Sequence, residues 1–228
     1  MAQVDLAKKY SNFFAPRAQV IVDNQDIFQK HSITASIITV EETKEAPSKF
    51  SCIIDDSQGV WINSALFQVG KAVEIKLGYA NVLVPVINGE INSVKSIFPS
   101  SSPPQIQVFG EAKLPTSPVT NPPVYPLTYG STLFSFISTV TAEKQAQATA
   151  RPLKISTSTV QCSAECVGLP EIKVGVAVAL KGLGSRFNKN YLVERVAHSW
   201  ENGGFRTRFE AKMQVERRFS NRKSKAAK

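Results

Sequence analysis

The sequence predicts a mainly β protein built from two β-rich halves, and three observations carry that reading. Residues 205–216 alternate without a break. Phe205, Thr207, Phe209, Ala211, Met213 and Val215 share one parity, and Arg206, Arg208, Glu210, Lys212, Gln214 and Glu216 share the other. A period of two over that length is a half-buried strand with one charged, wet face. Val73, Ile75, Leu77 and Tyr79 alternate in the same way with Ala72, Glu74, Lys76 and Gly78. Finally, eight of the 13 prolines lie between Pro99 and Pro126. Proline has no N–H for a ladder, so this stretch reads as an extended seam between the halves.

The elements follow in chain order. Residues 19–27, 33–40 and 49–54 are β-rich runs. Between Asp55 and Gly70 the signals favour one short helix, with Asp55, Asp56 and Ser57 as cap candidates and Gly70 as the stop. Strands are expected again at 86–97 and at 105–109. In residues 131–140, Leu133, Phe134, Ile137 and Val140 fit a helical face, while Leu133, Thr139 and Val140 also suit a strand. That stretch stays open; residues 142–148 read as helix. Ile172, Val174, Val176, Val178 and Leu180 alternate with Lys173, Gly175, Ala177 and Ala179 and read as a strand, closely packed or strongly bent on its small-residue face. Between Tyr191 and Trp200 the parity slips. Either a bulge near Glu194 and Arg195 or a simple two-sided strand accounts for it. Asn202, Gly203 and Gly204 supply a hairpin turn. The expected organisation is an N-terminal domain over 1–110, a proline-rich linker over 111–126, a C-terminal domain over 127–216 and a basic, disordered tail over 217–228.

Composition narrows the function classes. At 228 residues the chain is long enough for a substantial core. No apolar run is long enough to span a bilayer, and residues 1–10 lack the apolar core of a signal peptide, so synthesis as a soluble cytoplasmic protein is expected. Cys52, Cys162 and Cys166 make no disulfide framework. Six of the nine net positive charges come from Arg217, Arg218, Arg222, Lys223, Lys225 and Lys228. That run reads either as a solvated tail or as a segment that docks on an acidic surface. The body carries no basic helix and no aromatic-basic platform, so no specific nucleic-acid partner is expected.

No catalytic, cofactor-binding or metal site emerges from the residues. His198, in a β-rich run, reads as a structural histidine, and His31 as an exposed one at the mouth of a strand. Asp55 and Asp56 are adjacent, so on an extended chain they point apart and are not a paired acid and base. Serines are plentiful, but none sits in a Gly-x-Ser-x-Gly elbow. Cys162, Cys166 and His198 are one ligand short of a structural zinc site, and the cysteines read as buried apolar residues. Gly182-Leu183-Gly184 lacks the lysine and serine of a phosphate loop and reads as a turn.

Two resemblances remain. Tyr125-Pro126-Leu127-Thr128-Tyr129-Gly130-Ser131-Thr132-Leu133 and the residues up to Ile137 resemble the opening of a LysM glycan-binding module, whose second helix and closing strand are not visible after Ala150. More extensively, a collinear series resembles the phage late control D family, the tail hub proteins of contractile phages and related injection machines. It runs through Phe14-Ala15-Pro16-Arg17, Ser51-Cys52-Ile53-Ile54-Asp55-Asp56, Val69-Gly70-Lys71 into 72–79, Asn88-Gly89-Glu90-Ile91, Val108-Phe109-Gly110 and Leu127-Thr128-Tyr129-Gly130. It is strongest over 168–208, around Gly168-Leu169-Pro170 and Gly182-Leu183-Gly184-Ser185-Arg186-Phe187. The resemblance implies two tail-tube-like β-barrel domains and a non-enzymatic structural role as baseplate hub or tube-to-spike adaptor. It implies self-association as a homotrimer with pseudo-sixfold symmetry or as a homohexamer. Tail tube, spike and baseplate proteins are its implied partners, and a tail or contractile injection particle its implied location. Family members are usually longer, so this chain is a shortened one. A LysM-like glycan-binding baseplate module is the alternative.

Overall fold

The computed structural model describes residues 6–10, 13–112, 123–130, 136–145, 157–201 and 203–213, and it is mainly β. The first half holds a short helix α1 (Leu6–Lys9), β1 (Pro16–Val22), β2 (Gln25–Asp26), helix α2 (Ile27–His31), β3 (Ala35–Thr43), β4 (Lys49–Asp55), β5 (Ala72–Tyr79), β6 (Val82–Ile97) and β7 (Gln105–Ala112). The second half holds β8 (Val124–Thr128), β9 (Phe136–Gln145), β10 (Thr157–Val167), β11 (Ala177–Lys181), β12 (Asn190–Glu201) and β13 (Gly204–Met213). One hydrogen-bonded path runs β2-β1-β5-β6-β7-β4-β3-β12-β13-β10-β9, with β11 joining β12 to β8. All described pairings are antiparallel except β8 with β11.

The alternating patterns settle into the sheet as their periods require. On β13 Phe205, Thr207, Phe209 and Ala211 are buried, and Arg206, Arg208 and Glu210 are exposed. On β5 Val73, Ile75, Leu77 and Tyr79 are buried. The parity slip in β12 is a bulge. The β12–β13 register shifts between Val193 and Arg195, so Tyr191 and Val193 face the core before it, and Val196 and His198 after it. The bulge also marks a change of partner. Residues 190–192 of β12 pair with β11, and 195–201 pair with β3. An extra residue bends and twists a strand, and here it carries β12 from one neighbour to the next. Gly203, at φ 74°, makes the β12–β13 turn that the glycine pair announced.

Several expected elements differ. The run 19–27 is broken at Asp23 and Asn24, both left-handed with φ of 45° and 64°, which form a tight hairpin between β1 and β2. Asp26 then caps α2 by accepting from the Phe28 and Gln29 amides. The helix expected in 55–70 is only a three-residue 3-10 turn, Ala65–Phe67, capped by Ser64. Asp55 belongs to β4, and Asp56 organises a loop instead of capping a helix. Residues 142–145, expected as helix, continue β9, because β10 offers a ladder from Thr157 to Glu165 that overrides alanine-rich propensity; 146–148 lie outside the described residues. Residues 172–176 are not strand. Ile172 and Val176 are buried, but turn bonds Ile172 N–H to Leu169 O and Val176 N–H to Lys173 O replace a ladder, and Gly175 sits at φ 85°. At the proline-rich seam, β7 extends to Ala112 and β8 begins at Val124; 113–122 and the tail 217–228 lie outside the described residues.

The halves share one core, and two of the contacts between them stand out. The first is the β3–β12 ladder, from Thr43 opposite Arg195 to Ile37 opposite Glu201. The second is an aromatic seam. The Tyr79 hydroxyl donates to the Gly168 carbonyl at 2.9 Å, and the Tyr79 ring lies 5.7 Å from that of Phe205. Phe205 packs so closely on Gly168 that an added Cβ would fall on its ring. Phe13 also meets the Tyr79 ring edge-on at 5.3 Å, and Tyr10 meets it tilted at 5.4 Å. The Tyr10 hydroxyl and the Lys9 ammonium both donate to Glu171 Oε1 across the seam. Gly168→Ala is therefore expected to cost about 2 kcal/mol or more through overpacking against Phe205. Urea denaturation checks this: the midpoint falls at unchanged slope, whereas an unchanged midpoint would remove Gly168 from the seam's close contact.

Candidate functional site

The residues singled out in the sequence do not converge on a reaction centre. His198 and Cys166 gather around Thr207, but as structure. On β13, Thr207 is buried; its Oγ1 accepts from the Leu169 amide at 2.8 Å and lies 3.0 Å from His198 Nδ1. Cys166 Sγ contacts the Thr207 carbonyl at 3.6 Å. This network pins the loop after β10 onto the β12–β13 hairpin. His198 is 1 % exposed, and burial, with the Lys173 ammonium nearby, holds its pKa down to about 3, against a backbone contact at Ile172. It is a neutral imidazole across the physiological range. Burial pushes the Cys52 and Cys162 thiols up to about 12 and raises Cys166 as well, with Glu165 adding to it, so none is a ready thiolate. Among the described residues, no group of three or more His, Cys, Asp or Glu side chains is placed to hold a metal ion.

His31 closes helix α2 instead of standing at a strand mouth. It is half-buried, 3.4 Å from Gln25 Oε1 and edge-on to Trp61. Asp55 accepts from Gln105 Nε2, and buried Asp56 accepts from the Trp61 and Ile62 amides. Gly182 and Gly184 make the expected turn, both left-handed. Of the LysM-like run, residues 124–128 form β8 and Tyr129 and Gly130 a turn; 131–135 lie outside the described residues, and Phe136 and Ile137 open a strand.

What the fold does assemble is a wet, charge-compensated face on the outer side of β10, β12 and β13. Glu165 on β10 lies opposite Arg208 in the ladder and accepts from Arg208 Nη2 at 2.8 Å and Arg206 Nη1 at 3.4 Å. Glu210 lies opposite Arg195 at 4.0 Å, and Lys212 Nζ reaches Glu194 at 2.6 Å. Each exposed pair contributes little to stability, so their effect is on the surface. Alternating signs leave no single-sign field to hold a charged ligand. Next to this face, Glu41, Lys44, Glu45 and Lys49 of the β3–β4 hairpin line a cleft of about 790 Å³ together with Glu194, Arg195, Glu210 and Lys212. It spans the junction of the two halves.

Glu42, Glu171, Tyr10 and Trp61 are functional or structural residues not singled out in the sequence. Glu42 is the clearest case: it is buried on β3, and its Oε2 accepts from the Val174 amide at 3.1 Å. Burial raises its pKa, opposed by that amide and by Lys173. The parity of β3, with Ile38 and Val40 inward, is the signal that places Glu42 inward too.

Comparison with known proteins adds the following. The Alg8 N-terminal domain family matches residues 145–202, about a quarter of the chain. No curated protein matches the sequence. Among solved structures, the chain is similar to the tail protein from Neisseria meningitidis MC58, with a TM-score of 0.57 at 9 % identity over 88 % of this chain and 97 % of that one. It is also similar to the 43 kDa tail protein of prophage MuSo2 from Shewanella oneidensis, with a TM-score of 0.52 at 8 % identity over 86 % and 97 %. A weaker likeness, TM-score 0.48 at 10 % identity over 81 % and 74 %, is to an E. coli component of the type VI secretion system. The first two share the fold over most of this chain. Among the described residues, no helix is long and apolar enough to cross a membrane.

Two outcomes are expected. His198 has a folded pKa below its ordinary 6.5, so the unfolded chain takes its proton first. Stability contributed by neutral His198 is full above about pH 6.5 and falls toward pH 3 with a slope of roughly 1.4 kcal/mol per pH unit. Denaturation midpoints measured from pH 7 to pH 4 should show this slope, and His198→Gln should flatten it. Glu42 runs the other way, because its raised pKa means that protonation favours the fold. Glu42→Gln keeps an acceptor for Val174 and removes the cost of a buried charge, so its melting temperature at pH 7 should equal or exceed that of the parent. Glu42→Ala should lose about 1–3 kcal/mol by orphaning the Val174 amide.

Proposed function

We propose that this protein is a structural component of a phage tail or contractile injection particle, acting as baseplate hub or tube-to-spike adaptor. The single observation that carries the reading is the likeness in fold to a tail protein and to a prophage tail protein, over 88 % and 86 % of this chain and 97 % of each of those chains. The site supports the same role. The outward strand face is a ladder of compensated charges. Such a face suits a water-lined channel or a subunit boundary, where a single-sign field or an apolar patch would bind cargo or aggregate.

In this reading residues 1–110 and 127–216 are two barrel-like units, 111–126 the linker and 217–228 a solvated basic tail. Copies close into a ring as a pseudo-sixfold trimer or as a hexamer, with the tail tube on one side and the spike on the other. Closure removes sheet edges that would otherwise pair promiscuously. The protein is not an enzyme and takes no cofactor.

Native mass measurement and negative-stain electron microscopy of the full chain test this. Trimers or hexamers with a central opening are the expected result, and deletion of residues 168–218 should abolish them. A strictly monomeric protein across micromolar concentrations, also in the presence of its tube protein, would sink the reading.

A further inference from the structure

At the end of the first half, away from the charged face, lies a cleft of about 480 Å³ that the tail role does not use. It is lined by the end of α2, the start of β3 and the loop after β4, including His31, Thr34, Asp55, Gln58, Val60 and Trp61. Its construction is specific. The buried Asp56 carboxylate accepts from the Trp61 and Ile62 amides at 3.0 and 2.9 Å, fixing the backbone beneath Trp61. The indole is half-buried and held by near-perpendicular contacts with His31 and Phe67, at 5.7 and 6.5 Å. Asp55 is oriented by Gln105 Nε2 at 2.9 Å and keeps further lone pairs as acceptors.

Chemistry narrows what fits. In a chain of net charge +9, no lysine or arginine among the described residues lines this cleft, so no permanent cation there neutralises a phosphate or a carboxylate. The lining offers short polar groups of mixed donor and acceptor character around one aromatic ring. That combination matches a neutral polyhydroxylated ligand: hydroxyls bond to carboxylate, amide and serine or threonine, and the apolar face of the ring packs on indole. The Asp56 amide donates to Pro104 O, tying this loop to the one before β7. In that neighbouring loop, Phe98 is 69 % exposed, one residue beyond Ile97, whose ladder partner is Gln105.

We propose that this cleft is a saccharide-binding site for neutral oligosaccharides, with Trp61 as the stacking platform and Asp55 as the hydroxyl acceptor. The inference is independent of ring assembly and of the LysM-like run in the second half. Glycan recognition of this kind would let a tail component touch a cell-wall or surface polysaccharide.

The chain has two tryptophans, so Trp200→Phe leaves Trp61 as the one reporter. The full-length variant is titrated with N-acetylchitotetraose and with maltotetraose, with choline chloride as a cationic comparison, and isothermal calorimetry on the parent chain repeats the measurement without the substitution. The expected result is a saturable change with at least one tetrasaccharide, at a Kd of about 1 mM or tighter. Calorimetry should then show about tenfold weaker binding for Asp55→Asn and for Trp61→Ala, with melting temperatures of both variants recorded alongside. Saturation by choline alone would overturn the assignment in favour of an amine site. Absence of heat and of fluorescence change with both sugars, or an Asp55→Asn variant that binds as the parent does, would overturn it outright.

Discussion

The structure depends on one strand changing partners. The bulge at Glu194 lets β12 leave β11 and pair with β3, and that ladder makes one hydrogen-bonded path of two halves that are far apart in sequence. Everything at the junction is placed by it. Glu42 comes to lie opposite Val196, and His198 opposite Val40. The loop 168–176 is caught between Thr207, Glu42 and Tyr79. A sheet ladder is directional and tolerates no half-step, so a fixed register here transmits a fixed geometry to both halves.

The junction is unusually polar for a core. A neutral histidine, an ionisable glutamate and a threonine are buried there, and Lys173 donates to Pro85 O in an exposed contact. Buried polar groups of this kind specify one arrangement, because any slipped register leaves an amide or a carboxylate without its partner. The opposing pH tendencies of Glu42 and His198 follow from the same burial: each is held in its neutral direction by desolvation.

The N-terminal strap adds a second tie. Leu6 and Tyr10 are buried, and Tyr10 reaches Glu171 on the far side of the seam. The strap then enters β1 through Phe13 and Ala15, both left-handed at φ of 62° and 53°. Conformations of that sort cost of order 1 kcal/mol each, and the packing of Phe13 on Tyr79 and Tyr10 offsets it.

The sequence by itself determined the mainly β class, the in-out assignment of β5 and β13, the turns at Gly182, Gly184 and Gly203, and the bulge as one of two readings of β12. These are local: a period of two, a left-handed glycine or a parity slip is written in a few adjacent residues. Only the tertiary structure decided that Phe136–Gln145 is strand, that residues 172–176 are loop, and that Asp56 braces the backbone under Trp61. Each of those outcomes is tied to a partner outside the local stretch — β10, Glu42, and Pro104, whose carbonyl accepts from the Asp56 amide — and local propensity carries no information about such a neighbour. The same reason explains why the charged stripe of β13 was legible while its compensation by Glu165, Glu194 and Arg195 was not: the stripe is one strand's alternation, and its neutralisation is a property of three strands in register.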